Sequence, residues 1–497
     1  MKSTLSSLVA LSKTTNTYSD EAPFHASESY PEYPFPKETC ISSRHNGAYL
    51  GVRRAFELLG LDRPHQGSAE WNPLRDIIRP GASVVVKPNW VHHFLPGDHY
   101  PEEILITHPS VIRAVLDYVF LACGPRGKVT LGDAPIQSAD FEQIVRMSRI
   151  HDVLCLYKQY HNFDIQVVDF RKIKSTVAAS GRVVQQKQER TDPSGYRIVD
   201  IGTDSFFEEV SEYCRKFRVA DYDPKSLQEH HYPGTHKYLV SGSVLDADAF
   251  VNVPKLKTHG KCGLTCSLKN IVGINGDKAY LPHFRIGSPA ENGDDYSFPS
   301  LLKRLSTEVR TRLILADSDL AWRSTRWLGR RALGLLRRVR PRAAVGGISP
   351  YDISAGHWFG NDTAWRMVLD LNVLLFFGDR TGQVQSNRQR QYISVIDAVI
   401  AGEGNGPLQS SRRPTGAILA GLSPVATDLV AAHLMGFNPE KIHLLKEACR
   451  RLGPCFPDQG VFPTAVSSDF GEASLENLKL NWHFRAPDGW VGHIERD

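Results

Sequence analysis

Short β-branched runs that stop at polar residues, with helical spacing between them, constrain this chain more than any other feature. Ser83-Val84-Val85-Val86 is such a run, and it stops at Lys87-Pro88-Asn89. A short run of this kind without polar alternation suits a strand buried on both faces. Thr107-His108-Pro109 then opens a helix, with Thr107 as N-cap and Pro109 in the first turn. Val111, Val115 and Leu116 carry its spacing towards Gly124. Lys128-Val129-Thr130-Leu131 repeats the strand and stops at Gly132-Asp133-Ala134-Pro135, and Ser138 to Arg149 repeats the helix. Strand, helix, strand, helix with short joints predicts an α/β fold: a parallel-rich sheet with helices on both faces, carrying insertions.

The remaining stretches are assigned around that rhythm. Residues 1–45 are rich in Ser, Thr, Pro and Tyr and predict an irregular N-terminal arm. Residues 46–159 form the first α/β half, with the first site loops. Alternating runs at 165–170, 182–185 and 196–201 make 160–245 an insertion, mainly β. The α/β pattern returns over 246–280 with the strand at 249–253, a Lys255-x-Lys257-x-His259 loop, and a helix carrying Leu264, Leu268 and Ile271. Residues 281–390 read as a second insertion. Residues 391–440 close the α/β unit with a strand at 392–397, a Gly-rich loop at 401–407, a strand at 416–421 and a helix opened by Ser423-Pro424. Residues 441–497 are a C-terminal extension.

Composition excludes several classes. With 59 Lys and Arg against 54 Asp and Glu, the net charge of +5 over 497 residues is too small to argue for nucleic acid. A chain that is 41% hydrophobic and 23% charged is neither disordered throughout nor collagen-like. Eight cysteines are too few for a disulfide framework and predict buried thiols in a reducing compartment. One Lys ahead of a very short apolar stretch makes no signal peptide, and no run of about 18 apolar residues exists. The expected location is therefore cytoplasmic.

Polar residues gather where each predicted strand stops. Lys87 and Asn89 follow the first strand, Asp133 the second, Lys255, Lys257 and His259 the third, and Asp397 and Glu403 the fourth. Open α/β sheets bind ligands outside the carboxyl ends of their strands. Lysines there suit a phosphate or carboxylate, and a lysine crowded by cations becomes a base or nucleophile. Asp133, Asp397 and Glu403 suit a divalent ion such as Mg²⁺. His259 suits proton transfer. Each residue taken singly also reads as a solvated loop charge or a turn cap; the argument rests on their shared position.

Three other features have two readings each. Asn361-Asp362-Thr363, between Trp358 and Trp365, either begins a helix or contacts a sugar-like ligand. Residues 303–342 hold twelve Lys or Arg and three Asp or Glu. They form either a charged helical surface or a basic amphipathic segment, with Trp322 and Trp327 on a lipid face and Arg330, Arg331, Arg337 and Arg338 on the polar side. Cys262 and Cys266, four apart on one expected helical face, are two buried thiols or a redox or metal pair. No four-cysteine ferredoxin run, P-loop or dinucleotide-binding glycine motif is present.

In order along the chain, V-V-V-K-P-N (84–89), T-H-P-S-V-I-R-A-V (107–115), G-D-A-P (132–135), P-K-L-K-T-H (254–259), S-L-K-N-I-V-G (267–273), I-D-A-V-I-A-G-E-G-N-G-P (396–407) and A-G-L-S-P-V-A-T-D (420–428) resemble the blocks of the family called domain of unknown function 362. The resemblance implies that Lys269 and Asp428 join the polar positions above. It carries no common reaction. Many relatives hold a ferredoxin-like iron–sulfur module that this chain lacks, so no iron–sulfur cluster is expected. The G-N-D-T-x-W-R block looks similar to proteins of surface-polysaccharide gene sets.

The expected protein is an enzyme of unspecified reaction class. It acts on an anionic, phosphorylated or carboxylated, sugar-like molecule with a divalent metal, in surface-polysaccharide or secondary metabolism. Lys257, His259, Asp133 and Glu403 are the expected catalytic residues. Lys87, Asn89, Lys255, Lys269, Asn361 and Asp362 are expected to bind substrate, and Asp133, Asp397 and Glu403 to bind metal. The alternatives are an oxidoreductase with an external electron donor, and a membrane-surface assembly factor docked through 303–342 at the inner face.

Overall fold

The computed structural model describes residues 7–93, 102–177, 183–189, 191–219, 222, 224–315, 355–452 and 463–496. Their centre is an eleven-stranded sheet. Its strands are β1 (Leu8–Lys13), β2 (Ser83–Pro88), β3 (Lys128–Asp133), β4 (Ile165–Asp169), β5 (Ala249–Val253), β6 (Lys255–His259), β7 (Gly263–Thr265), β8 (Gln391–Asn405), β9 (Gln409–Gly421), β10 (Thr464–Ser467) and β11 (Gly471–Ser474). The order across the sheet is β11-β10-β1-β9-β8-β5-β2-β3-β4, and β6 lies beside the far half of β8 with β7 outside it. From β8 to β4 all pairings are parallel.

Alternate residues of the central strands enter two separate cores. Val84, Val86, Ala249 and Val251 pack on one face with α1 (Gly47–Leu58), α2 (Pro109–Cys123) and α3 (Ile150–His161). Val85, Phe250 and Val168 pack on the other with α4 (Ser267–Asn270), α5 (Ala364–Phe377) and α6 (Pro424–Met435). This is the expected layered α/β arrangement, and it explains the lack of polar alternation in β2 and β5, which are covered on both sides.

Several local expectations change. The arm is not irregular throughout: its Leu8–Lys13 segment is a strand deep in the sheet, antiparallel to β9 and parallel to β10. The 160–245 stretch contributes β4 to the main sheet before it forms the Ile173–Val177/Val183–Gln188 hairpin and a small three-stranded sheet. The Lys-x-Lys-x-His segment is a strand, not a loop. Pro254 donates no backbone bond and interrupts β5, and the chain resumes as β6 further along β8, with Lys255 opposite Asp397 and Lys257 opposite Gly402. The expected helix after it is strand β7 followed by the four-residue α4. Cys262 and Cys266 therefore share no helical face, and both thiols are buried. The Gly-rich stretch lies mostly inside β8, which runs to Asn405. Of the basic segment, only the helix Leu301–Leu315 is described; Trp322, Trp327 and the following arginines lie outside the described residues.

Candidate functional site

Beyond the carboxyl ends of β2, β3 and β4 lies a cavity of about 380 Å³. Its charged lining is Lys87, Asp133, Arg171, Lys261, Lys269 and Lys278, with His259, His283 and His357 around them. Five cations thus face one carboxylate among the described lining residues. The position is the one the strand-end reasoning expects.

The floor is built from β2 and β3. Lys87 Nζ lies 2.7 Å from Asp133 Oδ1 and also donates to the Pro88 carbonyl and to Asn270 Oδ1, at 3.0 and 3.2 Å. Asp133 Oδ2 accepts the Trp90 N–H at 2.6 Å. Burial pushes Lys87 down and Asp133 up, and their mutual attraction opposes both shifts. Gly273 makes this packing feasible: a Cβ there would sit 1.9 Å from Asp133 Oδ1 and 2.7 Å from Lys87 Nζ. Lys87 is therefore a positioning residue, saturated by protein acceptors.

Arg171 is equally occupied. It grips both oxygens of Asp169 at 2.9 and 2.7 Å and donates to the carbonyls of Ile136, Gln137 and Ala139, which fixes the loop after β3. Lys261 donates to the Ala355 carbonyl and stands over the Phe284 ring. Lys269 and Lys278 differ. Neither donates a hydrogen bond to, nor pairs with, any described residue. Burial lowers both; the proximity of Lys269 and Arg171 helps bring Lys278 to about 8.

Two histidines of the wall hold complementary tautomers. His259 Nδ1 accepts the Lys261 N–H at 3.1 Å, so its proton resides on Nε2. His283 Nδ1 donates to the Leu281 carbonyl at 2.7 Å, which leaves Nε2 with a free lone pair. Burial, aided by the surrounding lysines, holds both rings well below the usual histidine range, hence neutral.

Lys269 and Asn270 owe their place to α4. Asp428 accepts the N–H groups of Ser267 and Leu268 at 2.7 and 2.9 Å, capping that short helix from α6. Burial brings this carboxyl up to about 6.

The other expected residues lie elsewhere. Asp397 and Lys255 form a second buried cluster: Lys255 Nζ is 3.0 Å from Asp397 Oδ2, which also accepts the His108 N–H at 2.9 Å. Tyr18 donates to Asp397 Oδ1 at 2.6 Å, accepts from Lys255 and stacks on His108. Lys257 is fully buried and gives its single described hydrogen bond to the Leu105 carbonyl at 2.7 Å. Burial and the nearby Lys255 hold it well below the ordinary lysine value, and it lies outside the cavity lining. Glu403 accepts the Arg485 N–H on a partly exposed surface. The three carboxylates expected to share a metal thus belong to three different partnerships, and among the described residues no group of three His, Cys, Asp or Glu is arranged to hold an ion.

Asn361 behaves as a helix-start residue. Its Oδ1 accepts the N–H groups of Thr363 and Ala364, and its Nδ2 donates to the carbonyls of His283 and Gly356. Asp362 pairs with Arg285 and Arg366. Neither lines the cavity, although Asn361 steadies the backbone of His283. Asn270, Lys278, Arg171, Lys261, His283 and His357 were not singled out from sequence. Asn270 lies inside the S-L-K-N-I-V-G block, and Arg171 and Lys261 each follow a strand end by two residues, a signal that could have found them; Lys278, His283 and His357 follow no strand end that a pattern would mark.

Fold and cavity define an open, parallel-rich α/β protein whose cation-lined hollow sits at the strand ends. The chain belongs to the family described as domain of unknown function (DUF362), whose model matches residues 84–188 and 191–433. No curated protein matches it. Among solved structures it is similar to a Thermotoga maritima protein from the Northeast Structural Genomics Consortium, at 9% identity and a TM-score of 0.23. That alignment covers 67% of this chain and 50% of the Thermotoga chain, so the match spans half of the latter's length. Among the described residues no helix is long and apolar enough to cross a membrane.

Proposed function

We propose that the cavity binds a small anionic molecule, phosphorylated or carboxylated, and that the protein is an enzyme acting on it. One observation carries this reading: two half-buried lysines, Lys269 and Lys278, line one hollow with no acceptor for either among the described residues. Desolvating an ammonium without a partner is costly, and an anionic ligand removes that cost. In this reading Lys269 and Lys278 hold the anion. His259 donates from Nε2–H to an oxygen that gains charge, and His283 Nε2 accepts a proton from the ligand. Lys87, Asp133 and Asn270 hold the floor in register. For the divalent metal expected from sequence, Asp133 is the one carboxylate among the described lining residues and it is paired with Lys87, so the metal takes no part in the scheme.

Calorimetric titration with inorganic phosphate tests the anion site, beside native mass spectrometry of the purified protein for a retained anion. Lys269→Met and Lys278→Met are each expected to weaken phosphate binding by about 10-fold, the loss of one charge-assisted hydrogen bond. Binding unchanged in both variants would sink the reading.

A further inference from the structure

A backbone carbonyl, three amides and an ammonium beside the cavity form a one-way relay. The Ser267 backbone carbonyl can only accept, and it takes Asn252 Nδ2 at 2.9 Å. Asn252 Oδ1 then accepts Asn270 Nδ2 at 2.8 Å. Asn270 Oδ1 accepts both Lys87 Nζ, which can only donate, and Asn89 Nδ2 at 2.9 Å. A carbonyl at one end and an ammonium at the side thus dictate the orientation of all three amides. Flipping Asn89 would set two acceptor oxygens against each other. Its Oδ1 is what remains: a buried acceptor on a residue 7% exposed that lines the cavity, with no hydrogen-bond partner among the described residues.

Lysines on the wall and an orphan acceptor on the floor make opposite demands. A bare anion satisfies Lys269 and Lys278 but repels a carbonyl oxygen. A cationic donor satisfies Asn89 but is repelled by the wall. A neutral hydroxyl on an anionic molecule meets both. Resting on the anion-binding reading above, we infer that the ligand is a hydroxylated anion, a polyol phosphate or hydroxy acid, and that Asn89 Oδ1 reads its hydroxyl. Sites built to bond a substrate hydroxyl discriminate strongly against the analogue that lacks it, because the buried partner is then left unpaired.

Glycerol 3-phosphate and n-propyl phosphate share charge and carbon count and differ in hydroxyls, so they serve as the probes. Wild-type protein is expected to bind glycerol 3-phosphate at least about 10-fold more tightly by calorimetry. Asn89→Leu is expected to lose that preference while still binding propyl phosphate. Equal affinities in the wild type, as when a water serves Asn89, overturn the inference and leave the anion site standing, as does an undiminished preference in a folded Asn89→Leu. If neither organophosphate nor inorganic phosphate binds, both readings fall.

Discussion

Lys278 links binding, stability and pH at a single atom. Its amine loses its proton near 8, against 10.5 for an ordinary lysine. Between those values the unfolded chain binds more protons than the folded one, so this group makes the empty protein more stable as pH rises through that window. An anion placed against the amine favours its charged form. Phosphate binding at pH 8.5 is therefore expected to take up protons, seen as a calorimetric enthalpy that changes with buffer ionisation heat; no buffer dependence would count against Lys278 as an anion contact. By the same logic Lys278→Met is expected to raise the melting temperature of the ligand-free protein by about 2–4 °C while weakening the ligand, since it deletes a half-buried charge with no partner among the described residues. At this scale the sequence was half legible. Strand ends pointed to Lys87, Asn89, Asp133 and His259 because a strand's stop is visible as a pattern. They could not separate Lys87, saturated by acceptors, from Lys278, which has none among the described residues, because partners come from stretches far apart in the chain.

Elements explain why some expected residues left the site. Pro254 offsets β6 along β8, which seats Lys255 on Asp397 and buries Lys257. No spacing rule reveals that offset. Tyr18 completes the Lys255–Asp397 cluster from the N-terminal arm, so Tyr18→Phe is expected to cost about 1–3 kcal/mol in a urea titration at unchanged m-value, as two buried charges lose a partner. Phosphate affinity is expected to persist, because the cluster does not line the cavity. The short helix α4 depends on Asp428, whose carboxyl titrates near 6 when folded against 3.8 ordinarily. Across that interval the folded state holds more protons, so this group's contribution to stability falls as pH rises. Asp428→Asn is expected to destabilise by about 1 kcal/mol at neutral pH through the lost cap. It is also expected to flatten the dependence of the urea midpoint between pH 4 and about 6; an unchanged slope would show that Asp428 does not titrate there.

For the molecule as a whole, the α/β class was legible because β2 and β5 are covered on both faces and write that burial into the apolar runs Val84-Val85-Val86 and Ala249-Phe250-Val251. Strand β1 was not. Its sequence Leu-Val-Ala-Leu-Ser-Lys is short and stands among Ser and Thr, and nothing local announces that β9 and β10 will flank it. As an interior strand it should open only with the entire sheet: the amides of Val9 to Ser12 are expected to exchange hydrogen as slowly as those of β5, and fast exchange would place β1 at a fraying edge. The same placement has a cost during synthesis. Val9 pairs with Gly421 and Lys13 with Ala417, so the ribosome releases this apolar segment long before it has made either neighbour. Until then its open backbone is available to any other nascent strand, and holdase capacity rather than intrinsic stability is expected to limit the yield of this protein in a foreign host.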